Sequence, residues 1–296
     1  MQTLNQILSF IGQHPYLVVL FGVIVLVLAF YFSYRWVATH RLRLAAYAEA
    51  VQRYPPVAQL LTRYERQVRW LLRRLSPGGY LGLHLTLGLI AAGGCLWLFG
   101  GLAEDLLSND PLVRFDAALA TYLHNLATPP LTAFFVVITA LGSLETIASV
   151  GLFVAGFFVW RRWRLLLAAW LAAVAGGVAL NQLLKGLFAR PRPSFAESLL
   201  PESGYSFPSG HAMQSLILYG ILAYFAVLAL RSWRAKTATV FGAALLVILI
   251  GFSRLYLGVH YFSDVAAGFA AGGVWLSAVI TGTEVVCRGE HRANQS

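Results

Sequence analysis

Seven apolar runs of 18 or more residues constrain this chain more than any other feature. They fall at roughly 16–33, 80–100, 142–160, 165–187, 209–230, 237–256 and 261–282. At 1.5 Å of rise per residue, each helix is long enough to cross about 30 Å of hydrocarbon. No water is available there to satisfy backbone groups, so runs of this kind must close their hydrogen bonds as helices. The composition agrees: 58% of residues are hydrophobic and only 11% charged, where soluble domains carry about 25% charged residues. The expected fold is all-α, a polytopic membrane helix bundle.

The net charge of +10 raises the question of nucleic acid, but the distribution answers it. Of 22 Lys and Arg, nine lie in 35–79, three in 161–164, three in 231–236 and two at Arg288 and Arg292. Seven spans place these segments on one side, which the positive-inside rule makes cytoplasmic. The other side receives Arg114, Lys185, Arg190, Arg192 and Arg254, with most of the acids, among them Asp116, Glu197 and Glu202. The bilayer, not nucleic acid, is the expected partner. The first apolar run has no basic start and no small-residue cleavage site, so it reads as a retained helix. Cys95 and Cys287 lie too far apart in this topology to pair.

Three regions follow from this pattern: 1–79, a transmembrane helix with a basic amphipathic cytoplasmic linker; 80–282, a helical core; and 283–296, a cytoplasmic tail. The linker shows leucines and valines at helical spacing between arginines, as in helices that lie on a membrane surface or in solvated linkers. On the outer side, Leu112–Leu126 and Leu131–Leu141 read as interfacial or re-entrant helices. One continuous tilted helix over 131–160 would bury Glu145.

Three polar clusters interrupt the apolar C-terminal half, all at outer span ends. They are Lys185 through Arg190-Pro191-Arg192-Pro193, then Pro208-Ser209-Gly210-His211, then Ser253-Arg254 with His260 and Asp264. Ionisable groups at such depth are costly and usually functional. Lys185, Arg192 and Arg254 would make a site for a multiply charged anion such as phosphate. Ser209, Gly210 and His211 open a helix, whose N-terminus adds N–H donors and a positive dipole end. His260 and Asp264, four apart, share a helix face. The carboxylate can fix the imidazole tautomer and leave the other nitrogen as nucleophile. His211 can then protonate a leaving oxygen. The implied reaction is phosphoryl transfer to His260 followed by hydrolysis of the phosphohistidine. Arg190, taken alone, reads as a snorkelling anchor. Three cations around the His/Asp pair disfavour a metal, and no cofactor is expected.

Lys185-x6-Arg192-Pro193, Pro208-Ser209-Gly210-His211 and Ser253-Arg254-x5-His260-x3-Asp264 together resemble the three-part signature of the type 2 phosphatidic acid phosphatase (PAP2) superfamily. All eleven specified positions are met in order. The resemblance covers about 80–282 and implies a six-helix core, preceded here by one extra N-terminal transmembrane helix. It implies phosphate binding by Lys185, Arg192, Ser209, Gly210, His211 and Arg254. It implies His260 as nucleophile, Asp264 as its orienter, His211 as general acid, and metal-independent chemistry. The expected protein is a membrane lipid phosphatase, with undecaprenyl pyrophosphate the favoured substrate. It would sit in a bacterial inner membrane with its site facing the periplasm. A lipid phosphotransferase and a non-catalytic head-group binding or transport protein are the alternatives. A binder needs only the cations, so the intact His260, Asp264 and His211 weigh against it.

Overall fold

The structure, a computed structural model, describes residues 54, 55, 63–66, 80–108, 111–195 and 199–293. The expected span at 16–33 and nearly all of the basic linker lie outside the described residues. Residues His84–Ser296 form one compact unit, and helices account for nearly all of its regular structure. They are α1 (Tyr80–Ser108), α2 (Pro111–Asn125), α3 (Pro129–Ala140), α4 (Leu144–Trp160), α5 (Arg164–Phe188), α6 (Gly210–Ala229), α7 (Trp233–Tyr256) and α8 (Phe262–Ala293). Among the described residues, six segments are long and apolar enough to span a membrane. They coincide with the six runs read between 80 and 282.

Local chemistry sets the helix starts. Pro129 and Pro130 occupy the opening positions of α3, where a missing N–H costs nothing. Ser143 caps α4, its hydroxyl accepting from the Thr146 N–H at 3.3 Å. Ser209 caps α6 in the same way, accepting from the Ala212 N–H at 3.5 Å. Helix α5 ends on Ala189 in the left-handed conformation, φ 45°. That geometry costs an alanine about 1–2 kcal/mol, and it turns the chain into the Arg190–Pro193 segment.

The span expected at 142–160 corresponds to α4, Leu144–Trp160. By length and composition the apolar segment around it runs from Pro129 to Trp160. It is nevertheless two helices, broken at Leu141-Gly142-Ser143, and Glu145 is exposed in the first turn of α4. The break is held from both sides. The Tyr219 hydroxyl donates to the Leu141 carbonyl at 2.7 Å. A Cβ on Gly142 would stand 2.6 Å from Ile250 and 3.4 Å from the His211 ring, so the turn passes directly over the site.

Helix α6 is the hub, packed against α8, α7 and α5. Helix α4 leans on α5, α3 on α7, and α2 on α7 and α8. The core joins Ile147 and Phe158 of α4, Trp170 and Ala173 of α5, Met213, Ile217, Leu218 and Ile221 of α6, and Ala271 of α8. Lipid tails are as apolar as leucine, so membrane helices associate through close backbone approach at small residues. Gly268 is such a position: a Cβ there would lie 2.7 Å from the Ser209 carbonyl and 3.0 Å from Ala212. This contact draws the start of α6 onto the start of α8, where the Ser209 N–H donates to the Asp264 carbonyl at 2.9 Å. The ends of α5 and α7 and the starts of α6 and α8 thus meet at one end of the bundle. At the other end, Arg161–Arg164 and Arg231–Lys236 lie at the α4–α5 and α6–α7 connections and the helix starts that follow them.

Candidate active site

His260 occupies the short connection between α7 and α8 and is 1% exposed. Its Nδ1 faces Asp264 Oδ2 at 3.4 Å, and its Nε2 faces Arg192 Nη1 at 3.1 Å. A guanidinium can only donate, so Nε2 presents a lone pair and the proton is on Nδ1, toward the carboxylate. Burial pushes this imidazole well below the ordinary histidine range, and the charges of Arg254, Arg192 and Lys185 with His211 push the same way. The i, i+4 pair read from the sequence is therefore assembled, with the ring neutral.

Arg192 faces Nε2, and the charges of Arg254 and Lys185 act on the same ring. Arg192 is held by the carbonyls of Val259 at 2.9 Å, Gly204 at 3.0 Å and Ser203 at 3.2 Å. Gly204 adopts φ +79°, a turn conformation that glycine takes without strain. Arg254, 1% exposed, donates to Thr139 Oγ1 at 2.7 Å. Lys185 Cε lies 4.0 Å from where a Cβ on Gly210 would stand, and Asn181 Oδ1 lies 3.0 Å from it. Glycine at 210 therefore keeps the first turn of α6 open beside the lysine. Ser209 departs from its expected role in part: its N–H is spent on Asp264 and its oxygen on the helix cap. Only its hydroxyl proton remains to offer an anion.

Glu202 fills the centre of this cradle. Its carboxylate pairs with Arg254, lies 3.4 Å from Arg192, and approaches His211 Nδ1 to 4.0 Å. Sequence reading counted it only among the outer-side acids. No spacing rule ties a loop acid to a site, so its place follows from the 199–206 chain crossing over the helix ends. Asn181 was also missed. It donates to the Pro208 carbonyl at 3.5 Å, beneath the turn that starts α6. Its position one turn before Lys185 in an apolar helix was the available signal.

Arg190 overturns its reading as a snorkelling anchor. It is 7% exposed and bridges two buried carboxylates, with Asp264 Oδ1 at 2.6 Å and Asp116 Oδ2 at 3.0 Å. The left-handed turn at Ala189 sends its side chain inward, where these partners compensate the charge. Among the described residues, no group of three or more His, Cys, Asp or Glu is arranged to hold a metal.

Several known proteins resemble this chain. A family model described as the PAP2 superfamily matches residues 165–285. The chain is 35% identical over 184 residues to phosphatidylglycerophosphatase B of Bacillus subtilis (strain 168), covering 60% of this chain and 87% of that one. It is 38% identical over 107 residues to the lipid A 1-phosphatase of Rhizobium etli, covering 33% of this chain and 41% of that protein. Among solved structures, it superposes on a transmembrane PAP2-type phosphatidylglycerolphosphate phosphatase from Bacillus subtilis with a TM-score of 0.59. That match is 30% identical and spans 66% of this chain and 96% of the other. Matched at 30% identity or more by these Bacillus subtilis phosphatases over most of their length, the chain, with six described segments long and apolar enough to span a membrane, is a polytopic membrane phosphatase and belongs to the PAP2 superfamily.

Proposed function

We propose that this protein hydrolyses a membrane lipid phosphate or pyrophosphate through a phosphohistidine at His260. One observation carries the reading: a buried neutral imidazole has a carboxylate behind Nδ1 and Arg192 in front of Nε2, with Arg254 joined to Arg192 through Glu202. A phosphate entering the cradle displaces the Glu202 carboxylate and takes up Lys185, Arg192 and Arg254. Drawing Arg192 onto the phosphate also frees the Nε2 lone pair that its guanidinium occupies. Nε2 attacks phosphorus, the bond to the leaving oxygen breaks, and His211 protonates that oxygen. His211 then takes a proton from water, which attacks the phosphohistidine. The P–N bond breaks, releasing inorganic phosphate and neutral His260. Asp264 offsets the positive charge that grows on the ring during the first step.

The substrate is a lipid because the cradle opens at the end of a bundle of membrane spans. Acyl or prenyl chains stay in hydrocarbon while only the phosphate reaches the cations, which supplies concentration and orientation. The sequence reading favours undecaprenyl pyrophosphate. The 35% identity to a phosphatidylglycerophosphatase B, over most of that enzyme's length, supports phosphatidylglycerophosphate as a second reading. The test is phosphate release by detergent-purified protein from both lipids, phosphatidic acid, lipid A 1-phosphate and a soluble phosphomonoester, with and without chelator. The expected result is a kcat/KM at least about 10²-fold higher for a long-chain lipid than for the soluble ester, unchanged by chelator. Equal efficiency on all substrates, or activity that chelation removes and Mg²⁺ or Zn²⁺ restores, would overturn the reading. Label passing to an added lipid acceptor, without free phosphate, would make the protein a phosphotransferase.

The basic clusters at the far end of the bundle support a site on the outer face of a bacterial inner membrane. Ser203→Cys, in a background with Cys95 and Cys287 replaced, should react with an impermeant maleimide in intact cells. Reaction only after permeabilisation would reverse the orientation.

A further inference from the structure

We propose that Asp116 and Arg190 are positioning residues that hold Asp264 in the orientation His260 needs; this rests on the reading of His260 as nucleophile. The Arg190 guanidinium is fixed on every side. Nη1 donates to Asp264 Oδ1 at 2.6 Å and to Ser263 Oγ at 2.7 Å, and Nη2 donates to Asp116 Oδ2 at 3.0 Å. Its face lies 4.2 Å from the centre of the Tyr261 ring. Asp116, 1% exposed, holds the same turn from α2: Oδ1 accepts the Ser263 N–H at 3.0 Å, and Oδ2 accepts the Ser263 hydroxyl. With Oδ1 taken by Arg190, Asp264 is left to turn Oδ2 toward the Tyr261 N–H at 2.8 Å and His260 Nδ1 at 3.4 Å. The carboxylate thus cannot rotate away from the imidazole.

The stoichiometry of charge explains why the second acid is present. One guanidinium beside one carboxylate would form a self-satisfied neutral pair and weaken the pull of Asp264 on His260. Two carboxylates sharing one guanidinium leave the buried network at net −1. Asp264 then keeps charge to offset the cation that forms when His260 takes the phosphoryl group. A staple that merely joined α2 to α8 would need no such surplus, because a buried ion pair is weak evidence of stabilisation and apolar pairs often replace it without loss.

The test compares Asp116→Asn, Arg190→Gln, Arg190→Lys, Asp264→Asn, His260→Ala and the double variant Arg190→Gln/Asp264→Asn as full-length protein in detergent. The readouts are thermal stability, kcat and KM on the best lipid of the panel, and inhibition by inorganic phosphate. Asp116→Asn and Arg190→Gln should lower kcat about 10- to 100-fold, the range lost with outer partners of metal-site ligands. KM and the inhibition constant of phosphate should move less than about threefold. Arg190→Lys should recover part of the loss, and Arg190→Gln should cost little more once Asp264 is asparagine. Asp116→Asn keeps its shape and an acceptor for the Ser263 N–H, so it decides the matter if Arg190→Gln does not fold. An inactive His260→Ala beside wild-type kcat in Asp116→Asn would overturn the positioning role alone. So would an equal loss from Arg190→Gln whether or not Asp264 is present. An active His260→Ala would take down the nucleophile with it.

Discussion

Alanine at His260 is expected to reduce turnover by about 10⁴-fold or more, while inorganic phosphate still raises the thermal stability of the variant. Triad nucleophiles and bases in serine proteases show losses of that order. The separation of the two effects follows from the contacts. Arg192 is held by three backbone carbonyls and Arg254 by Thr139, so neither depends on the imidazole for its place. A variant that turned over normally would remove the phosphohistidine route altogether. The same residue predicts a pH dependence. Burial and nearby cations hold His260 well below the ordinary histidine value, so its neutral, nucleophilic form persists into acid. The acid limb of kcat/KM due to this group should therefore lie below about 6.5, the unperturbed value. Stability carries the matching sign: this contribution is complete above the unfolded value of about 6.5. It declines as pH falls below that, because the unfolded chain takes up a proton the folded site resists.

How much of this was legible beforehand depends on where each residue's partner lies in the chain. The six described spans were legible because hydrophobic runs are local; His260 and Asp264 meet as expected, although His260 precedes α8 and reaches Asp264 from the connection, not from one helical turn. The cation cradle was legible because Lys185, Arg192 and Arg254 are each expensive at a span end, and the topology puts those ends together. Arg190 carries the same charge at the same edge, yet read as an anchor. What distinguishes it is Asp116, more than seventy residues earlier on an amphipathic helix, and no periodicity links the two. Glu202 was hidden for a similar reason: an acid in a loop gains meaning only when the loop folds over Arg254. The split of 129–160 into α3 and α4 was visible in the sequence. Leu131–Leu141 is short for a span and 142–160 is not, and the turn between the two helices falls at Gly142, wedged between Ile250 and His211.

Asparagine at Asp264 is expected to cost nearly as much as alanine at His260, and the reason lies in Arg190. The wild-type carboxylate accepts on both oxygens, from Arg190 on Oδ1 and from Tyr261 N–H and His260 Nδ1 on Oδ2. An amide has one acceptor and one donor group. Arg190 is buried and can only donate, so the asparagine oxygen must turn toward it. The NH₂ group then faces the Tyr261 N–H and His260 Nδ1. A donor beside Nδ1 forces that nitrogen to accept, and the ring proton moves to Nε2, where the attacking lone pair should be. The analogous change in a serine-protease triad leaves the geometry intact and costs about 10⁴ in kcat through the wrong tautomer. A loss of 10³- to 10⁴-fold in kcat is expected here, with inhibition by inorganic phosphate nearly unchanged, since Lys185, Arg192 and Arg254 are untouched. Single-turnover release of labelled phosphate would measure it without interference from product release. A variant within about threefold of the wild-type rate would mean that Asp264 does not set the tautomer and that the imidazole is oriented by Arg192 alone.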